Sequence, residues 1–247
     1  MAAINKEDRI QEFVRAVFGK VDAVKEVNED YLLVQLKYRQ REQGPWIIGF
    51  SDIFREWIRQ AKSVYIEYAT RFPNACFLIR QEAERNLLFR QFLDKAQDNK
   101  QSQRLSWETF LKAPITRLRR YHLLLSTVHR HMDLFDTTET TNLQIAINEI
   151  KAVALECDTI VDEMRKKVEL DELASKLILG KEIRHLDLRL DELGREVMFR
   201  GDLQRTGTNA FARLEAHMIL FDRFLILAWT TSVPGAASGV RYGGYAV

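Results

Sequence analysis

The sequence predicts a mainly α protein, an elongated helical bundle followed by a short β segment toward the C-terminus. Three observations carry this. Four prolines and eleven glycines in 247 residues leave long stretches without a breaker. Apolar residues recur at spacings of three and four over most of the first 170 or so residues. Beyond Asp191 that periodicity gives way to short apolar runs bounded by turn residues. A chain of this length forms one large domain or two smaller ones, since domains run to roughly 100–200 residues.

From Glu7 to Phe18, the residues Ile10, Phe13, Val14 and Val17 repeat at helical spacing, and Gly19 offers a break. A second helix is expected over Val21–Gln40 through Val24, Val27, Tyr31, Leu32 and Leu36. Its basic residues gather toward the C-terminal end, where the helix dipole favours them, and Gly44-Pro45 end it. Ser51 is a candidate cap for a helix through Ile53, Phe54, Trp57, Ile58, Ala61, Val64, Tyr65 and Tyr68, expected to stop at Phe72-Pro73. Another helix is read from Cys76 to Ala96 through Phe77, Ala83, Leu87, Leu88 and Phe92, and the polar stretch Gln97–Arg104 separates the halves. Pro114 fits a first helical turn, followed by Leu118, Tyr121, Leu124, Leu125, Val128 and Met132, a spacing that expects a helix deep in the core. From about Asn142 to Leu170, a stripe of Leu143, Ile147, Ile150, Ala154, Cys157, Val161, Met164 and Val168 runs without interior Gly or Pro. At 1.5 Å per residue that is a rod of roughly 40 Å or more, which suits an elongated bundle. Strands are expected around Gly194–Gly201 and from His217 through Phe221 to Leu227, with a Gly-, Ala- and Ser-rich tail trailing unstructured from Val233.

Charge excludes several function classes. Thirty-seven Lys and Arg face 35 Asp and Glu, so a formal net charge of +2 gives no whole-chain attraction to nucleic acid or to an acidic membrane surface. Cys76 and Cys157 lie far apart and no signal peptide opens the chain, so a soluble protein of the reducing cytoplasm is expected. No apolar run reaches the ~18–20 residues that would span a bilayer.

No set of residues assembles a conventional active site. His129 and His131 are two apart and face different sides of a helix, unlike ligands four apart, and no Cys-x-x-Cys accompanies them, so no metal is expected. Phosphate-binding, dinucleotide and nucleophile-elbow motifs are absent, so no cofactor is expected either. The acids Asp162-Glu163 and Asp191-Glu192 read as solvated charges. Arg117, Arg119 and Arg120 read, on pattern alone, as a solvated helix edge.

One segment says more. Phe110-Leu111-Lys112-Ala113-Pro114-Ile115-Thr116-Arg117-Leu118-Arg119-Arg120-Tyr121-His122-Leu123-Leu124-Leu125 resembles the signature helix of Dbl-homology domains, in which Lys-x-Pro is followed by an Arg, a further basic residue and Tyr-x-Leu-Leu-Leu; His122 stands where Pro is common. Phe18-Gly19-Lys20-Val21-Asp22-Ala23-Val24 resembles the family's second conserved block, and Asp52-Ile53-Phe54 opens a helix where the family has one. The Gln-Gly-Pro-Trp stretch and the block from Phe50 to Tyr68 look most like fungal exchange factors that act on a Rho-type GTPase in cell-wall signalling. Phe199-Arg200-Gly201-Asp202-Leu203 and Leu220–Leu227 resemble the first strands of a pleckstrin-homology domain.

The resemblance implies a Dbl-homology domain over 1–172 without the family's first helix, for which Met1–Asp8 leave no room. A linker over 173–194, a partial pleckstrin-homology domain over 195–229 and a tail over 230–247 would follow. It implies a guanine-nucleotide exchange factor for a Rho-family small GTPase, with no covalent chemistry of its own. The GTPase-binding residues it implies are Arg117, Arg119, Arg120 and Asp158: Arg119 and Arg120 stand at basic contact positions, Arg117 lies beside them, and Asp158 falls where many members carry Asn. Pro114, Tyr121, Leu124 and Leu125 are structural signature positions expected to hold the helix in the core. Weak contact with membrane phosphoinositides is a further implied partner, made less favourable by the scatter of Arg195, Arg200, Arg205 and Arg213. The competing readings are a helical scaffold that binds a GTPase without releasing its nucleotide, a truncated and inactive exchange-factor fragment and, more weakly supported, a membrane-surface adaptor working through the strand segment.

Overall fold

The computed structural model describes residues 6–132, 137–179, 188–190, 192, 194–205, 214–232 and 240–246. Its chain divides into two compact units, one of Met1–Glu82 with Leu88–Met164, the other of Ala83–Leu87 with Arg165–Val247. Part of the expected linker, the middle of the expected tail, Asp191 and Arg213 lie outside the described residues.

Helices α1 (Lys6–Phe18) and α2 (Val21–Asn28) form where the apolar spacing places them, and Val17, Val24 and Val27 are buried. The expected continuous second helix is interrupted by a π-helical turn, Glu29–Leu33, before α3 (Val34–Gln43). One extra residue per turn rotates Leu32 into the core and Tyr31 out of it. Gly44, at φ +67°, then terminates α3 in a conformation that favours glycine.

Two expectations about proline are corrected. Helix α4 runs unbroken from Ser51 to Arg85 through Pro73, and α5 follows over Leu87–Asp98. Pro73 removes one backbone donor at a cost of ~3 kcal/mol, but Ala69, Phe72, Ala75, Cys76 and Ile79 around it are all buried, and that packing outweighs the loss. Helix α6 begins at Trp107, where the Ser106 hydroxyl accepts from Thr109 N at 3.4 Å, so Pro114 sits in its interior. One residue on from the carbonyl whose donor Pro114 removes, Tyr68 Oη donates to Leu111 O at 2.7 Å. Helix α7 spans Thr137–Lys176, longer than expected at both ends.

The start of α4 is also built differently from the expected serine cap. Ser51 is its first residue, and the Glu139 carboxylate of α7 caps it instead. Glu139 Oε1 accepts from Phe50 N and Ser51 N, each at 2.9 Å, and Oε2 accepts from Ser51 Oγ at 2.5 Å. Gly49 permits the approach, since a Cβ there would lie 2.8 Å from Glu139 Cδ.

The core of this unit gathers buried residues of all these helices except α3 and α5, among them Trp57, Tyr65, Ile115, Leu118, Leu125, Leu143, Ile150 and Cys157. Phe89 and Leu93 of α5 pack against it, and Phe89 meets Phe13 edge-on at 5.7 Å. Of the expected core residues in α6, Leu125 is fully buried, Tyr121 packs against the core and Leu124 does not enter it. Leucines 123, 124 and 125 are 100° apart around the helix, so three in a row cannot share one buried face.

In the second unit, β1 (Leu177–Leu179), β2 (Val197–Arg205), β3 (Leu214–Phe221), β4 (Leu225–Ser232) and β5 (Val240–Ala246) form one sheet in the order β1-β5-β4-β3-β2. The meander β2-β3-β4 matches the expected strands, with Arg200 opposite Ile219 and Met218 opposite Leu227. Residues 240–246, expected to trail as a tail, instead pair with β4 antiparallel and with β1 parallel. Low apolar content was the reason to expect a tail, but ladder pairing depends on backbone groups, which an open β4 edge supplies whatever the side chains. Leu173, Ile219, Phe221 and Ile226 fill the sheet unit's own core. Arg195 closes the β3–β4 turn: Nη1 donates to Asp222 Oδ1 at 2.8 Å, Nη2 to Glu192 Oε2 at 2.7 Å, and the guanidinium stands 5.1 Å over the Phe224 ring.

Candidate functional site

The candidate site is the exposed side of α6 and the adjoining part of α7, and its residues divide sharply by what already holds them. Arg119 Nε donates to Asp158 Oδ1 at 2.8 Å, and Nη2 bonds the same oxygen, tying the two helices together. Arg117 lies 4.8 Å over the Tyr121 ring, one helical turn away. Such an exposed cation–π contact is worth ~0.5–1 kcal/mol. Tyr121 in turn meets Trp57 at 4.9 Å and Phe54 at 6.0 Å, edge to face, so the aromatic core fixes the ring on which Arg117 rests.

Arg120 differs from its neighbours. Its side chain is exposed and has no ion-pair or hydrogen-bond partner among the described residues. Beside it, Leu123 and Leu124 are 60% and 53% exposed, and Leu155 on α7 is 67% exposed. The face therefore presents the uncommitted Arg120 guanidinium among bare leucines, beside the neutralised Arg119–Asp158 pair. This is the composition of an interface core rather than of a reaction centre.

The structure brings Arg119 and Asp158 together, rests Arg117 on Tyr121 and leaves Arg120 uncommitted. Pattern reasoning missed the leucines. Leu155 could have been found, because it is an apolar residue off the buried stripe of α7. Leu123 and Leu124 could not, since either fits a core position until the phase of α6 is known.

Elsewhere on α7 the chemistry is inert. Burial pushes the Cys157 thiol up to about 11, which removes its thiolate at neutral pH. Neither His129 nor His131 joins a metal-holding cluster among the described residues. No helix among them is long and apolar enough to cross a membrane.

A long helical bundle carrying an exposed basic and apolar face, joined to an antiparallel meander, defines the class of paired Dbl-homology and pleckstrin-homology folds. The sequence profile of the RhoGEF domain matches residues 2–158, and the chain belongs to that family. Rho1 guanine nucleotide exchange factor 3 of Schizosaccharomyces pombe is 32% identical over 226 residues, covering 92% of this chain and 18% of that protein. Rho1 guanine nucleotide exchange factor 1 of the same yeast is 25% identical, over 90% of this chain and 16% of its own length. The chain thus spans less than a fifth of these relatives. Among solved structures, the N-terminally truncated linker-DH/PH domains of p115-RhoGEF superpose with a TM-score of 0.67 at 18% identity, over 94% of this chain and 69% of that one. The DH/PH domains of PDZ-RhoGEF, solved with activated RhoA, give 0.63 at 20% identity, over 94% and 69%. These likenesses establish the fold.

Proposed function

We propose that this chain accelerates GDP release from a Rho-family small GTPase in the cytoplasm, through the face formed by α6 and α7. Such a protein makes and breaks no covalent bond. It binds the nucleotide-free GTPase more tightly than the loaded one, and linkage then requires that binding weaken the nucleotide by the same factor. A face made of an uncommitted cation and exposed leucines suits that task, because its binding energy is free to be spent on a partner.

The observation that carries the reading is Arg120, exposed and unengaged on the signature helix beside Leu123 and Leu124. Arg119 serves differently: its pairing with Asp158 holds α6 and α7 in register and offers the partner a nearly neutral surface. Membership of the RhoGEF family and the likeness to yeast Rho1 exchange factors support a Rho-type partner. By the same likeness we assign the whole protein to fungal cell-wall signalling.

The test is release of a fluorescent guanine nucleotide from purified Rho-, Rac- and Cdc42-type GTPases, with the native chain and with Arg120→Glu. Acceleration on a Rho-type member is expected. The variant should lose at least about tenfold, the equivalent of a ~1.4 kcal/mol contact, with an unchanged helical circular dichroism spectrum. No acceleration on any GTPase, from a folded chain that still binds one, would replace exchange with the scaffold reading.

A further inference from the structure

We propose that α3 is the contact through which two copies of this chain form a weak antiparallel dimer, apart from the face formed by α6 and α7. The π-helical turn Glu29–Leu33 turns Leu32 inward and leaves Tyr31, Val34 and Tyr38 outside. These three are 41%, 52% and 61% exposed; Val34 and Tyr38 lie one turn apart on α3, and Tyr31 stands one turn before Val34 in the π-helical turn, so the three form a short exposed apolar row. Single exposed apolar residues are ordinary; a row of two tyrosines and a valine on one helix face has the composition of an interface.

Charge decides what covers it. Glu26 and Asp30 lie at the N-terminal end of the row, and Lys37 and Arg41 at the C-terminal end, all exposed and none in an ion pair with another described residue. Asp30, Lys37 and Arg41 are spaced by seven and four, so they flank the row on the same side. A two-fold axis through its middle sets Tyr31 against Tyr38 of the second copy and brings each acidic end against a basic one, twice over. A patch that is apolar along its centre and opposite in sign at its two ends is complementary to itself under that operation, as an isologous interface requires. Nearby Arg39 takes no part, since Nη2 is held by Asp52 at 2.6 Å and Nη1 by Gly49 O at 2.5 Å. Specific interfaces bury roughly 600 Å² or more per partner, and a row this short is at the small end, so the dimer is weak and concentration-dependent.

Sedimentation velocity over a concentration series reads it directly. The native chain should shift from monomer toward dimer in the micromolar range, less so at high salt because the end pairs are exposed. Tyr38→Arg should abolish the shift with unchanged circular dichroism. Lys37→Glu with Arg41→Glu makes both ends acidic and should weaken self-association at least about tenfold. Glu26→Lys with Asp30→Lys makes both ends basic and should do the same. An equimolar mixture of these two charge variants should recover the dimer, a result that misfolding of either cannot mimic. A native chain monomeric throughout would overturn the proposal, as would a dimer indifferent to Tyr38→Arg or charge variants that fail to rescue each other. Vesicle binding through Tyr31 and Tyr38 by a monomer would assign the row to a lipid surface instead.

Discussion

Replacing Glu139 by Ala should destabilise the helical unit by about 2–4 kcal/mol, although the residue lies far from α4 in sequence and outside the apolar core. Its carboxylate accepts the backbone N–H of Phe50 and of Ser51 and the Ser51 hydroxyl. Hydrogen bonds to a charged group are each worth about 1.5–3 kcal/mol, and the negative charge also meets the positive end of the α4 dipole for about 0.3–1 kcal/mol more. The three bonds share one partly buried side chain and do not add, which sets the total below their sum. Glu139→Gln keeps one acceptor oxygen and should cost about half as much. For a protein of this size the Ala variant should melt roughly 5–15 °C lower, and urea unfolding followed at 222 nm measures the free energy itself. Gly49 supplies an internal control. A Cβ at that position would lie 2.8 Å from Glu139 Cδ, so Gly49→Ala should be costly in the native chain and nearly harmless once Glu139 is Ala. The double-mutant cycle should therefore show coupling of about 1 kcal/mol or more. A Glu139→Ala variant within ~0.5 kcal/mol of native stability, or a Gly49→Ala cost equal in both backgrounds, would refute the capping argument.

Neighbouring leucines should behave as opposites. Leu125→Ala should lose about 2–5 kcal/mol in urea unfolding because the side chain is fully buried, whereas Leu124→Ala, on the exposed face, should stay within ~0.5 kcal/mol and impair GTPase binding instead. Alkaline pH should weaken the helical unit, since burial pushes Tyr65 up to about 12 and raises Tyr68 as well. A folded value raised above the ordinary ~10 means a contribution intact below pH ~10 and lost as pH rises toward the folded value, so the urea midpoint should hold up to about pH 10 and fall as pH rises from there toward 12. Tyr68→Phe should make that decline shallower. The sheet unit should show the acid counterpart. The Arg195 hydrogen bonds hold Asp222 below the usual carboxylate range, so their contribution is complete above that range and disappears as pH falls through the lowered value. Asp222→Asn should therefore flatten the acid limb of near-ultraviolet unfolding curves, and an unchanged limb would exclude this pair as its source.

Most helices of the first unit were legible because their apolar residues repeat at three and four, and burial of that stripe is what makes a helix persist. The signature segment, read as a whole, pointed to α6 as the candidate face. Local breaker rules were less reliable. Pro73 and Pro114 each remove a single donor, and whether a helix survives that loss depends on packing contributed by other elements. Glu139 as a cap and the pairing of β5 with β4 were invisible for the same reason, since each joins backbone groups to partners remote in sequence or to partners defined only by an open edge.

The division of labour at the site follows the same logic. By itself, the sequence determined which residue types occupy the signature helix, and hence that the chain carries the RhoGEF family's segment. Tertiary structure alone decided that Arg119 is committed to Asp158, that Arg117 rests on Tyr121, and that Arg120, Leu123, Leu124 and Leu155 face outward. Helical periodicity fixes angles within one helix, but the phase of one helix against another is set by how the whole core packs.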